Sequence, residues 1–457
     1  MENSKRDAML HEDIAHLINR LAIPTIISQL ITSLYNMADT YWVAQLNNDS
    51  ATAAVGIVFA IMALIQALGF FCGHGSGNFI SRMLGANKVK EARLMAMTGF
   101  TLAFILGIVL MAFGLIFLEP LAYALGSTST MLPYAKEYMS WILIGAPIMM
   151  AALVMNNQLR FQGNSFFSMI GITTGGILNI VLDPLFIFVF DLGIAGAAIA
   201  TIISQGISFI LLLWGIMKSD SVSYSLKDIR LDLYHLKNIF KGGFPSLCRQ
   251  GVSALSTAIV NLCAGPFGDA AIAAVSVVNR IMQFCFSIVI GIAQGFQPVC
   301  GYNYGAKRYD RVRSAFSYTV KAGTIFTIFI SIFCFLFAKD IMVLFQSDAS
   351  SQILDIGMVT LRVQCLTLAL TVFLTVSSMM LQVVGKTRPA SLLASMRQGI
   401  ALIPVVIIMT SLFGLFGLEI AQAIADVISL LVSIPMVIIF YREMKEEEKG
   451  FPDAKAS

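Results

Sequence analysis

Runs of about twenty or more mostly apolar residues follow one another along the whole of this 457-residue chain. At about 1.5 Å per residue, a helix of that length crosses a hydrocarbon core of roughly 30 Å. Only helices and closed barrels satisfy their backbone groups inside lipid. A barrel would need strands of about ten alternating polar and apolar residues, and the sequence has none. The chain therefore reads as an all-α integral membrane protein. Its balance agrees, with 57% hydrophobic residues, 12% charged residues and a mean hydropathy of +0.81. About 25% charge is usual in a soluble domain.

Twelve spans are expected, at 17–42, 52–77, 94–118, 134–158, 166–190, 193–217, 238–264, 270–299, 314–338, 354–383, 389–412 and 415–440. Residues 1–16 are polar and lack the apolar core of a signal peptide, so span 1 is expected to be an uncleaved anchor. Lys and Arg gather before span 1 and after spans 2, 4, 6, 8, 10 and 12, as with Arg82, Lys88, Lys90 and Arg93, or Lys307, Arg308, Arg311 and Arg313. The alternate loops hold only Lys339. This bias places both termini in the cytoplasm of a multi-pass cell-membrane protein. The net charge of +4 reflects the same bias and gives no reason to invoke nucleic acid. Basic loops that set topology also meet anionic lipid headgroups. Seven cysteines, Cys72, Cys248, Cys263, Cys285, Cys300, Cys334 and Cys365, are scattered without a CxxC pair. Structural disulfides and metal sites are not expected from that spacing.

The chain repeats itself at an offset near 220. Ala51–Val58 (ATAAVGIV) matches Ala271–Val278 (AIAAVSVV), Gly75 falls on Gly295, and Gly85-Ala86 on Gly305-Ala306. Pro184 meets Pro404, and one residue of slippage brings Gly193 and Gly196 onto Gly414 and Gly417. Each unit holds six spans, and an even number leaves both repeats in the same orientation. The expected layout is a segment at 1–16, a six-helix lobe at 17–217, a linker at 218–237, a second lobe at 238–440 and a tail at 441–457. Segment, linker and tail are expected to be cytoplasmic, and the two parallel-repeat lobes are expected to surround a central cleft.

Inside these apolar helices lie Asp39, Asn179, Asp183 and Thr201. A carboxylate at membrane depth costs at least about 2.5–3.5 kcal/mol, so it marks a functional site by default. Asn179 and Asp183 are four apart and share one helix face. Counted along their spans, Asp39, Asp183, Thr201 and also Tyr138 fall in the outer part of one membrane half. Pro184 cannot donate to the Ile180 carbonyl, which leaves an oxygen beside Asp183. Such a set suits a proton or a small hard cation. The repeat copied the fold but not the acids, since Asp39 and Asp183 align near Ile259 and Ile403.

Other polar residues divide between packing and chemistry. His74 stands among Gly73, Gly75 and Gly77, a run that suits close helix packing more than a proton relay. Arg249, Arg280, Arg362 and Arg397 make the second lobe basic within its spans, with Asp355, Glu419 and Asp426 as candidate partners. Ion pairing between helices is the first reading of these groups, and cavity lining the second. Tyr35, Asn36 and Asn156 are further candidates for a substrate cavity. No nucleophile–base set and no His-rich motif argues for an enzyme, because only one of the four histidines lies in a span.

Several segments carry a resemblance: Met37–Val43 (MADTYWV), Ile80–Ala86 (ISRMLGA), Tyr302–Lys307 (YNYGAK) and above all Asn179–Leu185 (NIVLDPL). The chain resembles the multidrug and toxic compound extrusion (MATE) family over nearly its whole length, and within it the DNA-damage-inducible-F-like prokaryotic branch. That resemblance implies a first-lobe cation-coupling site at Asp39, Asn179, Asp183, Thr201 and Tyr138. It implies a secondary active exporter that antiports amphipathic, often cationic, drugs against inward H⁺ or Na⁺. No cofactor other than the coupling ion is expected, Na⁺ would sit at Asp39, Asn179, Asp183 and Thr201, and the protein would work as a monomer among membrane lipids. The other bacterial branch adds acids on helices 7 and 10, where this chain has Arg249, Gln250 and only Asp355. A lipid-linked oligosaccharide flippase of the same superfamily is the alternative, kept open by the second-lobe arginines.

Overall fold

The computed structural model describes residues 2–46, 48–219, 221–345 and 351–449. Positions 450–457 of the expected tail, position 220 of the linker and position 1 lie outside them. The described residues are helical almost throughout, with no strand among them.

After a short helix at Glu2–His11 come α1 (Ile14–Ala44), α2 (Asp49–Gly85), α3 (Val89–Ile116), α4 (Leu132–Phe161), α5 (Ser165–Pro184) and α6 (Gly193–Met217). The second series is α7 (Leu233–Ala264), α8 (Asp269–Gly305), α9 (Tyr309–Leu336), α10, α11 and α12 (Leu415–Lys449). Two segments, Ser351–Leu368 and Leu370–Val383, make up α10, and their axes bend by 54°. Thr387–Ser395, Met396–Ile400 and Leu402–Phe413 make up α11.

By length and apolarity nine helical stretches pass as spans, or ten with the bent α10. One of these stretches, Thr387–Lys449, has 63 residues and would be roughly three bilayers long if straight. It folds back at Gly414, whose φ of +59° an L side chain rarely adopts, so that α11 packs on α12. Counting α11 and α12 separately, and adding the 32-residue α7, restores twelve. The sequence of α7 is less apolar because Lys237, Lys241 and Arg249 lie within it. Its start is fixed by Asp232, whose Oδ1 accepts from the backbone N–H of His235 (2.9 Å). That bond and the adjacent His235 ring hold the Asp232 carboxyl below the usual carboxylate range.

The duplication reaches the element boundaries. Both α2 and α8 have 37 residues and both α3 and α9 have 28, each pair starting 220 positions apart. The first ends on Gly85-Ala86-Asn87 and its counterpart on Gly305-Ala306-Lys307, with Asn87 and Lys307 at φ +61° and +58°. In each case the left-handed residue closes the helix by the same turn, with the N–H of Lys88 bonding Met83 and that of Arg308 bonding Asn303.

The chain divides into two compact units, but not at a loop. One contains Met1–Met9 and Ile27–Leu247, the other Leu10–Ile26 and Cys248–Ser457. Both α1 and α7 therefore contribute to both units. Each changes unit within three residues of an internal proline, Pro24 or Pro245.

In the first unit α4 is the central stave. Of its apolar window 72% is buried, against 22% for α3, whose apolar residues are left for lipid. The initial part of α7 docks there by backbone approach. A Cβ on Gly75 would collide with the Ile239 carbonyl, and one on Gly243 with the Phe71 carbonyl. Glycine at these positions lets two helices meet at backbone distance, the small-residue packing typical of membrane interfaces. His74 belongs to this contact: its Nδ1 lies 3.2 Å from Ser246 Oγ and its Nε2 3.2 Å from an Arg160 nitrogen, while Arg160 also donates to Asn157 Oδ1 (2.7 Å). His74 is a packing and hydrogen-bonding residue in this fold.

In the second unit Cys285 and Cys334 bring their sulfurs to 3.8 Å in the buried cluster that also contains Cys365. All three are free thiols. Their positions are scattered in the chain and adjacent in space, a juxtaposition that spacing could not show.

Candidate cation site

The first unit brings together five of the candidates, three acids or amides and two hydroxyls. All are buried: Asp39 is 4% exposed, Asn179 2%, Asp183 and Tyr138 0%, and Thr201 4%. The i, i+4 spacing on α5 sets Asn179 one turn from Asp183, and the Asn179 Nδ2 donates to Asp183 Oδ1 at 3.0 Å. The same Nδ2 donates to Thr201 Oγ1 on α6 at 3.2 Å, and Thr201 in turn donates to the Ala197 carbonyl (3.0 Å). Asn179 is thus the bridge between α5 and α6. Close passage of α1 is allowed by Gly176, where a Cβ would crowd Ile31 (2.8 Å) and Tyr35 (3.2 Å). Just past Asp183, the helix leaves α-geometry for a π-turn at Leu185–Val189, after the proline that lacks a donor.

Three oxygens of this cluster are buried without a hydrogen-bond partner, Asp39 Oδ1, Asp183 Oδ2 and the Asn179 carbonyl Oδ1, while the Tyr138 hydroxyl faces the Asp39 carboxylate. Asp39 and Asp183 interact electrostatically with each other, and Tyr138 with both and with Tyr35. Neither carboxylate has a basic residue in ion-pair contact among the described residues. Each unsatisfied buried group costs about 1–3 kcal/mol, and more when charged. Two carboxylate oxygens and an amide oxygen left over in one place therefore suit a positive ligand. All donors are hard oxygens, which suit H⁺ or Na⁺ and not a thiophilic metal. No group of three His, Cys, Asp or Glu able to hold a metal occurs among the described residues.

Of the substrate-cavity candidates, Tyr35 lies one turn from Asp39 and within its field. The Asn36 carbonyl accepts from Thr40 (3.0 Å). Asn156 is elsewhere: its Nδ2 donates to Ser168 on α5 at 2.6 Å, and it sits roughly 27 Å along α4 from Tyr138. The sequence reading overlooked Ser204 and Ser208, buried on α6 with unpartnered hydroxyls. They continue the Thr201 face at spacings of three and four and pack against Gly175. The stripe Thr201, Ser204, Ser208 opposite Gly171 and Gly175 was the available signal.

The MatE family model matches residues 24–185 and again 245–408. The chain belongs to the MatE family. The two matches coincide with the internal repeat, and a MatE protein is a transporter and not an enzyme. Over 423 residues the chain is 29% identical to the multidrug export protein MepA of Staphylococcus saprophyticus, covering 92% of each chain. A crystal structure of a MATE protein in complex with MaL6 superposes with a TM-score of 0.91 at 28% identity, over 96% of this chain and 99% of that one. A MOP superfamily transporter from Pyrococcus furiosus gives 0.90 at 28% identity, over 96% and 98%.

Proposed function

We propose that this MatE transporter exports amphipathic drugs in exchange for H⁺ or Na⁺ entering at Asp39, Asn179, Asp183, Thr201 and Tyr138. The observation that carries the reading is the buried pair Asp39 and Asp183, each with an unpartnered oxygen and without a basic counter-charge among the described residues. A cation neutralises the pair, and its loss restores two charges that the apolar surroundings disfavour. Asp39 stands on α1, the helix that contributes to both units, so ion occupancy has a direct route to bias that helix. MepA, matched along nearly the whole chain, is a multidrug export protein, which supports drugs as the cargo. The protein is taken as a monomer in the cell membrane, surrounded by lipid.

Drug efflux from proteoliposomes with ΔpH and ΔNa⁺ imposed separately tests the coupling. Efflux driven by at least one gradient is expected. Equal drug movement with neither gradient would make the protein a passive pathway and end the antiport reading.

Orientation has its own test. The loops at 86–92 and 306–312 follow equivalent helices of parallel repeats and are both basic, so both face the cytoplasm in this reading. Single-cysteine variants in either loop should resist an impermeant thiol reagent in intact cells and react after permeabilisation. Labelling of one loop from outside would overturn the orientation.

A further inference from the structure

The segment that joins α6 to α7 packs one face against the first unit and leaves the other uncovered. On the packed face the Tyr224 hydroxyl donates to Gln158 Oε1 on α4 (2.7 Å), and the Tyr224 ring centre lies 5.0 Å from that of Phe100 on α3. The Arg230 N–H donates to Thr98 Oγ1, also on α3, at 3.2 Å, and the Arg230 carbonyl lies 3.0 Å from the same oxygen. Ser221 and Val222 are buried. The uncovered face carries Leu226 and Leu233, 80% and 81% exposed, and the exposed Leu231 and Tyr234. Four basic residues, Lys218, Lys227, Arg230 and Lys237, are exposed around them. None of the four is in an ion pair among the described residues. They outnumber the acids Asp228 and Asp232, and Asp232 is engaged by the His235 ring at 2.7 Å.

The depth of this face follows from its partners. Thr98 and Phe100 lie roughly 14–17 Å along α3 from its start at Val89, inside a helix long and apolar enough to be a span. The segment therefore runs along a membrane helix and not out into solvent. Near the end of α6 the Lys218 Nζ sits 4.5 Å over the exposed Trp214 ring, an aromatic and a lysine of the kind that meet headgroups at a membrane interface. By its own apolarity α7 does not pass as a span, so its level in the bilayer needs a further anchor. Leu231 and Leu233 flank Asp232, the residue that fixes the start of α7.

We propose that residues 226–234 lie in the membrane interface, with Leu226, Leu231, Leu233 and Tyr234 entering the boundary between headgroups and acyl chains, and Lys218, Lys227, Arg230 and Lys237 holding anionic phospholipid headgroups. Apolar side chains gain by leaving water and basic ones by reaching an anionic surface, and this face offers both to one lipid leaflet. The anchor sets the level at which α7 starts. Which leaflet it occupies rests on the orientation proposed above, whereas the insertion does not.

The test places a genetically encoded dansyl amino acid at Leu226, and separately at Leu233, in the full-length protein in nanodiscs of equal parts phosphatidylglycerol and phosphatidylcholine. Each lipid in turn carries bromine on its acyl chains, and acrylamide serves as the aqueous quencher. Brominated lipid should quench the probe, and acrylamide should quench it about fivefold less than it quenches the free amino acid in buffer. Brominated phosphatidylglycerol should quench about twofold or more better than brominated phosphatidylcholine. Lys227→Gln, Arg230→Gln and Lys237→Gln together should bring that ratio towards one and leave the acrylamide protection in place. Full access of acrylamide without lipid quenching puts the segment in water and overturns the insertion. Protection from both kinds of quencher means that protein covers the leucines, and overturns it equally. Equal quenching by the two lipids with all the basic residues present overturns the headgroup contact. Melting temperature reports whether each labelled chain folds; both probe positions lie off the packed face, and either one suffices for the reading. No drug or ion gradient enters the measurement, so its outcome is independent of the export reading.

Discussion

Replacing Asp39 or Asp183 by asparagine is expected to collapse the drug gradient that the transporter sustains. One monovalent cation falling through 100 mV supplies about 2.3 kcal/mol, enough to hold a neutral drug at roughly a fiftyfold gradient. An amide keeps the shape of the carboxyl group but takes no charge, so the cation loses its reason to bind. Efflux by either variant should approach the passive limit at unchanged membrane abundance. Folding should survive, because the change removes a buried charge that has no basic partner among the described residues to leave behind. The measurement is drug accumulation in inverted vesicles against wild type, with melting temperature as the folding control. Wild-type gradients in both single variants would show that the coupling ion binds elsewhere.

Asp426→Asn is expected to do the opposite: to damage the fold first. In the second unit Asp426 faces Arg397 at 3.0 Å, and both are largely buried, at 3% and 8% exposure. Breaking such a pair on one side strands a buried charge at a cost of about 3–5 kcal/mol, a large share of the roughly 5–15 kcal/mol that holds a domain together. Removing both charges, in Asp426→Asn with Arg397→Gln, eliminates the stranded cation. The double variant should regain its melting temperature and gradient-driven export. A double variant that folds but is uncoupled would assign Asp426 an ion-carrying role and end the single-site scheme. Asp355, which is exposed, and Glu419 should tolerate amide replacement with coupling intact.

The site and the fold differ in how far local sequence could reveal them. Asp39, Asn179 and Asp183 could be picked out because a charged or amide group in an apolar run is rare and costly, a property of each position taken alone. The i, i+4 relation on α5 follows from helix geometry. That Asn179 also reaches Thr201, and that its one amide serves both α5 and α6, depends on the packing of two helices. Asn156, a substrate-cavity candidate, lies five turns along α4 from Tyr138, outside the cation cluster, and its bond to Ser168 on α5 likewise depends on helix packing. Ser204 and Ser208 carried too weak a signal alone, since hydroxyls in membrane helices commonly bond their own backbone.

By itself the sequence determined the helical class, the twelve passes and the twofold repeat, because hydropathy, helix length and turn-forming Gly-Ala pairs act over a few residues and survive duplication. The matching lengths of α2 and α8, and of α3 and α9, are the product. Tertiary structure decided what contacts between distant positions decide. It divided α1 and α7 between two units near their prolines, and it buried the less apolar start of α7 against Gly75. It drew Cys285 and Cys334 together. Hydropathy assigns a helix to the membrane but not to its neighbours, whereas close packing depends on which small residues let which backbones touch.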